Sequence, residues 1–551
     1  MAQRHGRGGS RGSGGSRAGS GSRGGRPPVQ REHPGGPAPN RVRVREVIDG
    51  LCPVDDRSEL THGQVIEALI ANRLTSPSPL VHVPVWAGDY AVEEVFGMRP
   101  EQLNDDRVGR ALDAIGPELD RIVGSVGVQA ITAFGIDVSR LHWDMTSISV
   151  HGEYEQADQE FPTPKFGHPK DRRPDLKQIQ AGIAVSADGG VPVFHRSFDG
   201  GAGEVAQVVP MMKALQHLAT ERRLLIVGDS KLISYGNLAA MHADQVTFVA
   251  PASKLYVSAV DLTGLSLATA TRVDYVAGRD AGKPAGKRGS WHVVEDTMTL
   301  SGPRRSDPVL SLRRVFVHSS VRATAAGNAR TLKLGKATDD LARLQRGLGS
   351  RHYPDVAAVD ARIAVIAKNR RVGAYLTAVT DTDPSTGKPT LTWTFDQAVI
   401  DAEAGTDGWY ALLSNLSVDD ADATGILLHY KGQEAVERRY AAFKGPLAVA
   451  AIHLKSNRRI TALITVICLA LLIFCLIERQ VRQALHALGQ TKIDGLYAGR
   501  PAAPTGRLIL QTLATMVITP ASGDQPPIIA APTPLQTRLY ELLDIDPRQW
   551  C

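Results

Sequence analysis

Hydrophobic positions along the first part of the chain recur at helical spacing. Thr61 and Gln64 form a capping-box pattern, and the apolar residues that follow at three- and four-residue intervals predict a helix. Two further helical patterns cover about 104–115 and 117–134. The pattern therefore predicts an all-α module over residues 41–136, and a role in binding DNA is one interpretation of such a module.

The pattern then changes to strand-like alternation. The predicted elements are, in order, strands at 141–150, 176–186 and 191–198, a helix at about 203–221, a strand at 224–227, a helix at about 234–243 and a strand at 246–249. Three strands, a helix, a strand, a helix and a strand is the order found in ribonuclease H-like folds. The sequence therefore predicts an α/β fold with a ribonuclease H-like core.

Two carboxylates occupy informative positions in these strands. Asp144 lies inside the first strand, where a buried carboxylate is costly unless it is paired or bound to a metal. Asp229 follows the end of the fourth strand, and ligand sites of open α/β sheets gather at such strand ends. We expect Asp144 and Asp229 to be neighbours. Each also has an ordinary interpretation, Asp144 as a salt-bridge partner and Asp229 as a helix cap.

A third acid comes from a later helix, predicted over residues 430–444 and ended by Gly445. Tyr430, Glu437 and Lys444 are spaced by two helical turns, so they share one face if the helix begins early enough. Glu437 could instead be a solvated helix residue.

The spacing Tyr430-x2-Gln433-x3-Glu437-x6-Lys444 resembles the Tyr-x2-Arg-x3-Glu-x6-Lys signature of the DDE transposases of bacterial insertion sequences. The resemblance is to the insertion sequence 4-like superfamily, in the branch with a β-rich insertion before the last acid. Gln433 stands where that family usually has Arg. The resemblance covers roughly residues 41–545, and it extends to three further stretches: 60–65, 167–177 and 407–410.

The resemblance implies a catalytic triad of Asp144, Asp229 and Glu437, which would also be the metal ligands. Three neighbouring carboxylates repel one another unless cations neutralise them, and Mg²⁺ prefers such oxygen ligands. The implied cofactor is two Mg²⁺ ions, with Mn²⁺ able to substitute. The implied reaction is metal-dependent strand cleavage at the ends of a mobile element, followed by transfer of the 3′-hydroxyl to target DNA.

The resemblance also implies which residues contact DNA and which partners bind. Tyr430, Gln433 and Lys444 would be DNA-binding residues, with Lys444 holding a phosphate as a point charge. The partners would be double-stranded DNA, both terminal inverted repeats and target, and a second copy of the chain in a dimer on DNA.

Asp229 and Glu437 are separated along the sequence by far more residues than one crossover connection needs. This separation predicts an inserted, β-rich subdomain over residues 256–405, which also contains two helices near 336–349 and 354–369. The core is then divided into a first part, 137–255, and a second part, 406–490, that carries the catalytic Glu helix. Residues 491–551 form a C-terminal segment that gives little information.

Residues 460–477 carry no charge and are long enough to span a membrane. Arginines lie on both sides, Arg458 and Arg459 before and Arg479 and Arg482 after, so positive charge marks neither side. We expect a helix buried in the core and no membrane partner. An integral membrane protein anchored by this segment is the alternative.

Charge and composition add a tail. The chain has 63 Lys and Arg against 57 Asp and Glu, and the net charge of +6 is accounted for by residues 1–40, which are rich in Arg and Gly. Such a segment is expected to be disordered. It leaves a non-catalytic nucleic-acid-binding protein as another alternative.

The cysteines argue against a disulfide scaffold and a cysteine zinc site, because they have no paired spacing. The chain opens without the apolar region of a signal peptide. A cytoplasmic location, with association to the nucleoid when DNA is bound, is expected.

Overall fold

The computed structural model describes residues 3–4, 42–154, 158, 160–167, 169–170, 172–219, 223–448, 452–521 and 526–546. The predicted disordered tail lies outside the described residues, apart from the backbone of Gln3–Arg4. The chain divides into two compact units, the first formed by Met1–Val227 and Gly432–Cys551 and the second by Gly228–Lys431.

The helices are, in chain order, α1 (Val44–Leu51), α2 (His62–Thr75), α3 (Val83–Asp89), α4 (Val92–Phe96), α5 (Asp105–Ile115), α6 (Leu119–Phe134), α7 (Glu204–Ala219), α8 (Tyr235–Ala243), α9 (Ala259–Thr263), α10 (Ser320–Arg346), α11 (Val356–Arg370), α12 (Gln397–Gly405), α13 (Ala423–Lys431), α14 (Glu434–Lys444), α15 (Asn457–Ala487), α16 (Gly506–Leu513) and α17 (Pro534–Leu543). Short 3-10 turns occupy Leu80–His82, Pro100–Leu103, Gly116–Glu118, Ser230–Leu232, Gly278–Asp280 and Ala285–Lys287.

The strands are β1 (Gln3–Arg4), β2 (Arg140–Val150), β3 (Lys177–Ser186), β4 (Pro192–Phe198), β5 (Leu225–Val227), β6 (Thr247–Pro251), β7 (Thr271–Val273), β8 (Trp291–Leu300), β9 (Leu310–Ser319), β10 (Leu376–Thr382), β11 (Pro389–Phe395), β12 (Trp409–Ser414), β13 (Ile493–Tyr497), β14 (Arg500–Ala502), β15 (Val517–Thr519) and β16 (Ile528–Ile529).

The first unit begins with the helices α1–α6, and the predicted capping box is confirmed at the start of α2. The Thr61 hydroxyl accepts a hydrogen bond from the Gln64 amide (3.1 Å), and the Gln64 side-chain oxygen accepts one from the Thr61 amide (2.9 Å). These bonds satisfy two donors that a helix start leaves open. Val65, Ile66 and Leu69 of α2 are fully buried, so the apolar spacing of the sequence marks the core of this module.

Four strands of the first unit lie in one sheet in the order β4-β3-β2-β5, and β1-β15-β16 and β13-β14 form two smaller sheets. β2 is antiparallel to β3, β3 is antiparallel to β4, and β2 runs parallel to β5 with His142 opposite Val227. The strand that comes first in this set is therefore central, with the second and third on one side and the fourth on the other. The predicted mixed α/β class is confirmed.

The long helix α15 lies in the core of the first unit, where it packs on α2, α5 and β4. The most apolar stretch of α15 is 94% buried, and the side chains of Ile460, Ile464 and Leu471 are fully buried. Among the described residues, α15 is the one helix whose length and composition would allow it to cross a membrane. The predicted core helix is confirmed as buried.

The second unit contains strands in the order β6-β12-β9-β8-β7. Each neighbouring pair of these strands is antiparallel. It also holds the hairpin β10–β11, which packs with α10 and α11 around Leu341, Leu344 and Ile366. The predicted helix near 336–349 is the last part of α10, which begins at Ser320.

One predicted helix is wrong in its extent. The stretch 430–444 is two helices, α13 and α14, interrupted at Gly432 and Gln433. There the hydrogen bonds span three residues, with the Ala435 amide bonded to the Gly432 carbonyl (2.9 Å). Glycine is a poor helix former, and it lies at the break. Tyr430 therefore does not share a helix face with Glu437 and Lys444.

Candidate active site

Asp144 lies in the middle of β2 with its side chain only 16% exposed. Its Oδ1 accepts a hydrogen bond from the Met145 amide (2.8 Å), and the Lys170 ammonium lies 3.4 Å from the same oxygen. Lys170 also donates to the Met145 carbonyl, and its amide donates to the Ser147 hydroxyl (2.9 Å). The predicted Asp144 is thus a carboxylate with a cation as neighbour.

Helix α14, which carries Glu437, is held against β2 by two side chains. Gln433, just before the helix, donates from Nε2 to the Trp143 carbonyl (3.0 Å), and Tyr440 donates from its hydroxyl to the Asp144 carbonyl (2.6 Å). Glu437 lies four residues after Gln433 and three residues before Tyr440, so by helical geometry the three lie on the same face. Its own side chain is exposed. The helix of Glu437 therefore packs directly on the strand of Asp144.

Gln433 and Tyr440, the two anchors of α14 on β2, each have a second polar neighbour. The Gln433 side-chain oxygen lies 3.2 Å from Nδ1 of His142, and the Tyr440 hydroxyl is also 3.2 Å from the Ala181 carbonyl. Burial raises the pKa of Tyr440, and the nearby Asp144 raises it further, so this group stays a hydroxyl donor. No local sequence pattern predicts either of these two bonds to β2, since each joins residues almost 300 positions apart.

The opposite side of α14 is fixed by a buried ion pair. Arg439 donates from Nε to the Gly190 carbonyl (2.8 Å) and from Nη2 to Glu478 Oε1 on α15 (3.1 Å). Glu478 Oε2 accepts from the Gly506 amide (2.9 Å). Burial alone would raise the pKa of Glu478, but Arg439 lowers it below its ordinary value. This network locks the rotation of the helix that bears Glu437.

Asp229 belongs to the second unit, two residues after β5 ends. Its carboxylate accepts a hydrogen bond from the Lys231 amide (2.9 Å) and so caps the 3-10 turn Ser230–Leu232. Among the described residues, no group of three His, Cys, Asp or Glu side chains is placed to hold a metal ion. The three predicted acids therefore remain a prediction as a set.

The predicted DNA-contacting residues have different surroundings. The Gln433 amide is bonded to β2, as above, and Lys444 is the half-buried last residue of α14. Tyr430 lies on α13 in the second unit, its ring 6.5 Å from that of Tyr410. Of the three, Gln433 is the residue that bonds α14 to β2.

Beside Tyr430 lies an aromatic cluster that the sequence did not reveal. The Lys431 ammonium lies 3.4 Å from the ring centre of Trp291 and just under 6 Å from those of Tyr275 and Tyr410. Such rings attract cations through their electron-rich faces. Burial raises the pKa of Tyr410, so its hydroxyl is neutral. The residues come from four separate segments, and no spacing in the sequence links them.

A family model described as "Domain of unknown function (DUF4277)" matches residues 39–119, which fall almost entirely in the N-terminal helical module. No curated protein matches the sequence. The chain is similar to a piggyBac transposase in a synaptic complex with hairpin DNA, with a TM-score of 0.38 and 9% identity over 86% of this chain and 78% of that one. A likeness at this level carries no conclusion about fold or activity.

Proposed function

We propose that the chain is a DNA transposase of the DDE type, which cleaves strands at element ends and transfers the 3′-hydroxyl into target DNA. The observation that carries the proposal is the packing of the Glu437 helix on the Asp144 strand through Gln433 and Tyr440. The motif that resembles the transposase signature is thus attached to the strand on which the first acid was predicted.

The strand arrangement supports a ribonuclease H-like core. In the first unit the first strand is central and the fourth runs parallel to it, as that fold requires. His142 lies opposite Val227, and along the chain Asp144 and Asp229 each come two residues later. We propose that Asp144, Asp229 and Glu437 act together as the catalytic acids.

The chemistry of these donors suits a divalent cation. Carboxylate oxygens are hard ligands of the kind that Mg²⁺ and Mn²⁺ accept, and Asp144 already attracts the Lys170 ammonium. We propose that the three acids hold two Mg²⁺ ions. When bound, such ions activate the attacking oxygen and stabilise the leaving one. The protein's own task is to hold the carboxylates in place, which the Arg439–Glu478 pair supports by fixing α14.

The proposed partners are double-stranded DNA, at terminal inverted repeats and target, and a second copy of the chain. Lys444 would contact a phosphate and Tyr430 a nucleotide, whereas Gln433 would contribute by holding α14 on β2. The proposed location is cytoplasmic, on nucleoid DNA when bound.

The test compares metal-dependent nicking and strand transfer on DNA that contains the sequences flanking the reading frame. Asp144→Asn, Asp229→Asn and Glu437→Gln keep side-chain size and remove a charge. Each should bind DNA near-normally and lose nearly all nicking and joining. A double substitution should be little worse than a single one, because residues acting as one unit are not additive.

Glu434→Gln is the matched control, since Glu434 is an equally exposed acid one turn earlier on the same helix. An inactive Glu434→Gln beside an active Glu437→Gln would refute the motif register. Cleavage without joining to a second DNA would instead indicate another nuclease of this fold. DNA binding with no metal-dependent nicking would indicate a non-catalytic binding protein, and resistance to carbonate extraction from membranes would indicate the membrane alternative.

A further inference from the structure

A cavity of about 440 Å³ lies within the first unit, away from Asp144 and Glu437. It is bordered by the end of α2, the turn 77–81, and the segment 452–454 that leads into α15. Arg73 lines it from α2, and Val81 lines it from the turn with its side chain exposed to solvent.

Arg73 is only 6% exposed, and no ion pair joins it to a carboxylate within the described part of the chain. Its Nη2 donates to the Ser78 carbonyl (3.1 Å), its Nε has no hydrogen-bond partner, and no carboxylate of the described chain pairs with it. Burial lowers the pKa of Arg73 to about 10, which still leaves the guanidinium charged at neutral pH. A full positive charge is therefore enclosed beside a cavity.

The other charges of the cavity are accounted for. Arg459 is paired with Asp113 (2.6 Å), and His453 is exposed. Asp105 lies in the first turn of α5, where the positive end of the helix stabilises a carboxylate. No hydrogen bond or ion pair between described residues joins Asp105 to Arg73, although both line the cavity. Among the described residues that line the cavity, Arg73 is thus the cation in need of an anion.

Enclosing an unpaired cation is costly, and a bound anion offsets that cost. The guanidinium is a planar fork that matches the oxygens of a phosphate in a two-point contact. The cavity is many times the volume of one water molecule, about 30 Å³, so a phosphate group can enter with part of its hydration. We propose that this cavity is a phosphate-binding site in which Arg73 is the anion-binding residue. The site does not depend on the proposed catalytic activity.

The phosphate group has two possible sources, a free phosphate-bearing molecule or the phosphodiester backbone of DNA. Both present the same oxygens to Arg73. The experiment therefore uses inorganic phosphate as the first probe and a short duplex DNA as the second, with the full-length chain in both.

The first measurement is the melting temperature in increasing phosphate, against chloride at equal ionic strength. Wild type should show a saturable rise of a few degrees, since a ligand that binds only the folded state stabilises it. Arg73→Met should melt higher than wild type without phosphate and lose the rise, with affinity at least about tenfold weaker, a loss of about 1.4 kcal/mol. Arg110→Met, an exposed arginine of the same module, should behave as wild type.

A second pair of variants serves if Arg73→Met fails to fold. Val81 (60% exposed) lines the cavity, whereas Val85 (62% exposed) does not. Val81→Glu places a carboxylate at the entrance and should weaken phosphate binding, and Val85→Glu should leave it unchanged. Equal phosphate binding in these two variants, or a wild type that gains nothing over chloride, would overturn the proposal.

The DNA arm identifies the source. If phosphate competes with duplex DNA and Val81→Glu weakens both more than Val85→Glu does, the site takes the DNA backbone. If Val81→Glu loses phosphate binding while its DNA binding is unchanged, the site takes a free phosphate-bearing molecule. Retention of phosphate binding by folded Arg73→Met would show that Arg73 is not the anion-binding residue.

Discussion

Arg439 and Arg73 are both almost completely buried in the first unit, 5% and 6% exposed, but their surroundings differ. Arg439 meets Glu478 and two backbone carbonyls, and every contact lies between parts of the protein. Arg73 meets one carbonyl and faces a cavity. A buried charge whose partners are all internal fixes the fold, whereas one with an open side is suited to a ligand.

The comparison extends to function. The Arg439 region holds the helix that carries Glu437, and a rigid support is what the catalytic role proposed for Glu437 would need. The Arg73 region bears no part of the proposed catalytic set. Removing or adding a charge should therefore have very different effects at internal, fully packed positions and at the cavity.

The largest effect is expected where a charge enters the core with neither partner nor cavity. Leu471 is fully buried in α15, so Leu471→Lys should cost at least about 5 kcal/mol of folding free energy and prevent folding. Soluble yield and near-UV circular dichroism measure this. Leu488→Lys, at an exposed position just after the same helix, is the control, and a soluble, native-like Leu471→Lys would contradict the description of α15 as core.

The second-largest effect is expected when the buried network of Arg439, Glu478 and Gly506 is broken. Glu478→Ala leaves Arg439 buried without its carboxylate and the Gly506 amide without an acceptor, which should cost about 3–5 kcal/mol. The shift of the urea midpoint measures it. Glu541→Ala, which removes an exposed partner of Arg538, should cost less than about 1 kcal/mol. Similar losses in both variants would remove the distinction between the two kinds of site.

The half-buried acid Glu67 extends the comparison to the effect of pH. Burial raises the pKa of Glu67 from 4.5 to about 7, with Glu46 and Asp49 adding to the shift and Arg45 opposing it. The fold thus favours the neutral acid, so its contribution is complete below pH 4.5 and is lost as the pH rises through 7.

Glu67→Gln keeps the neutral form at every pH. Between pH 5 and pH 8 its stability relative to wild type should rise by on the order of 3 kcal/mol. Urea titrations at both pH values measure this, with the exposed Glu59→Gln as control. A pH-independent difference between Glu67→Gln and wild type would show that Glu67 is not held neutral.

The smallest effect is expected at the Gln433 anchor. Gln433→Ala removes its hydrogen bond to the Trp143 carbonyl, a loss of about 1 kcal/mol in global stability. Hydrogen exchange should nevertheless rise selectively in α14. Gln483→Ala, at an exposed glutamine of α15, should change neither quantity. Unchanged exchange in α14 would show that Gln433 does not hold the helix.

The sequence could predict elements whose apolar residues face a core. Strand β2 and helix α7 agree with their predicted spans within two residues, and the capping box of α2 is confirmed. By contrast, α10 begins sixteen residues before its predicted start, because only Arg330, Ala337, Leu341 and Leu344 of it are buried. A largely solvated helix leaves little hydrophobic periodicity to detect.

The contacts that build the candidate site could not be predicted. Gln433 and Trp143 are 290 positions apart, and Arg439 and Gly190 are 249 apart, so no local pattern relates them. Arg73 looked like an ordinary helix residue, since burial without a counterion is a property of the fold. Asp144 and Asp229 could be proposed from their positions in and after strands, and Glu437 from a local helix motif, but their role and joint arrangement remain predictions.

The division of the first unit into two stretches of sequence has a consequence for synthesis in the cell. Residues 42–227 leave the ribosome long before α14 and α15, which complete their core. At about 5–20 residues per second, the intervening second unit takes roughly 10 to 40 seconds to make. During that time β2 and β4 lack the helices that cover them, so their exposed apolar faces require protection by chaperones or by slow, late folding. The second unit is one continuous stretch of sequence, so its internal contacts do not wait for a later segment.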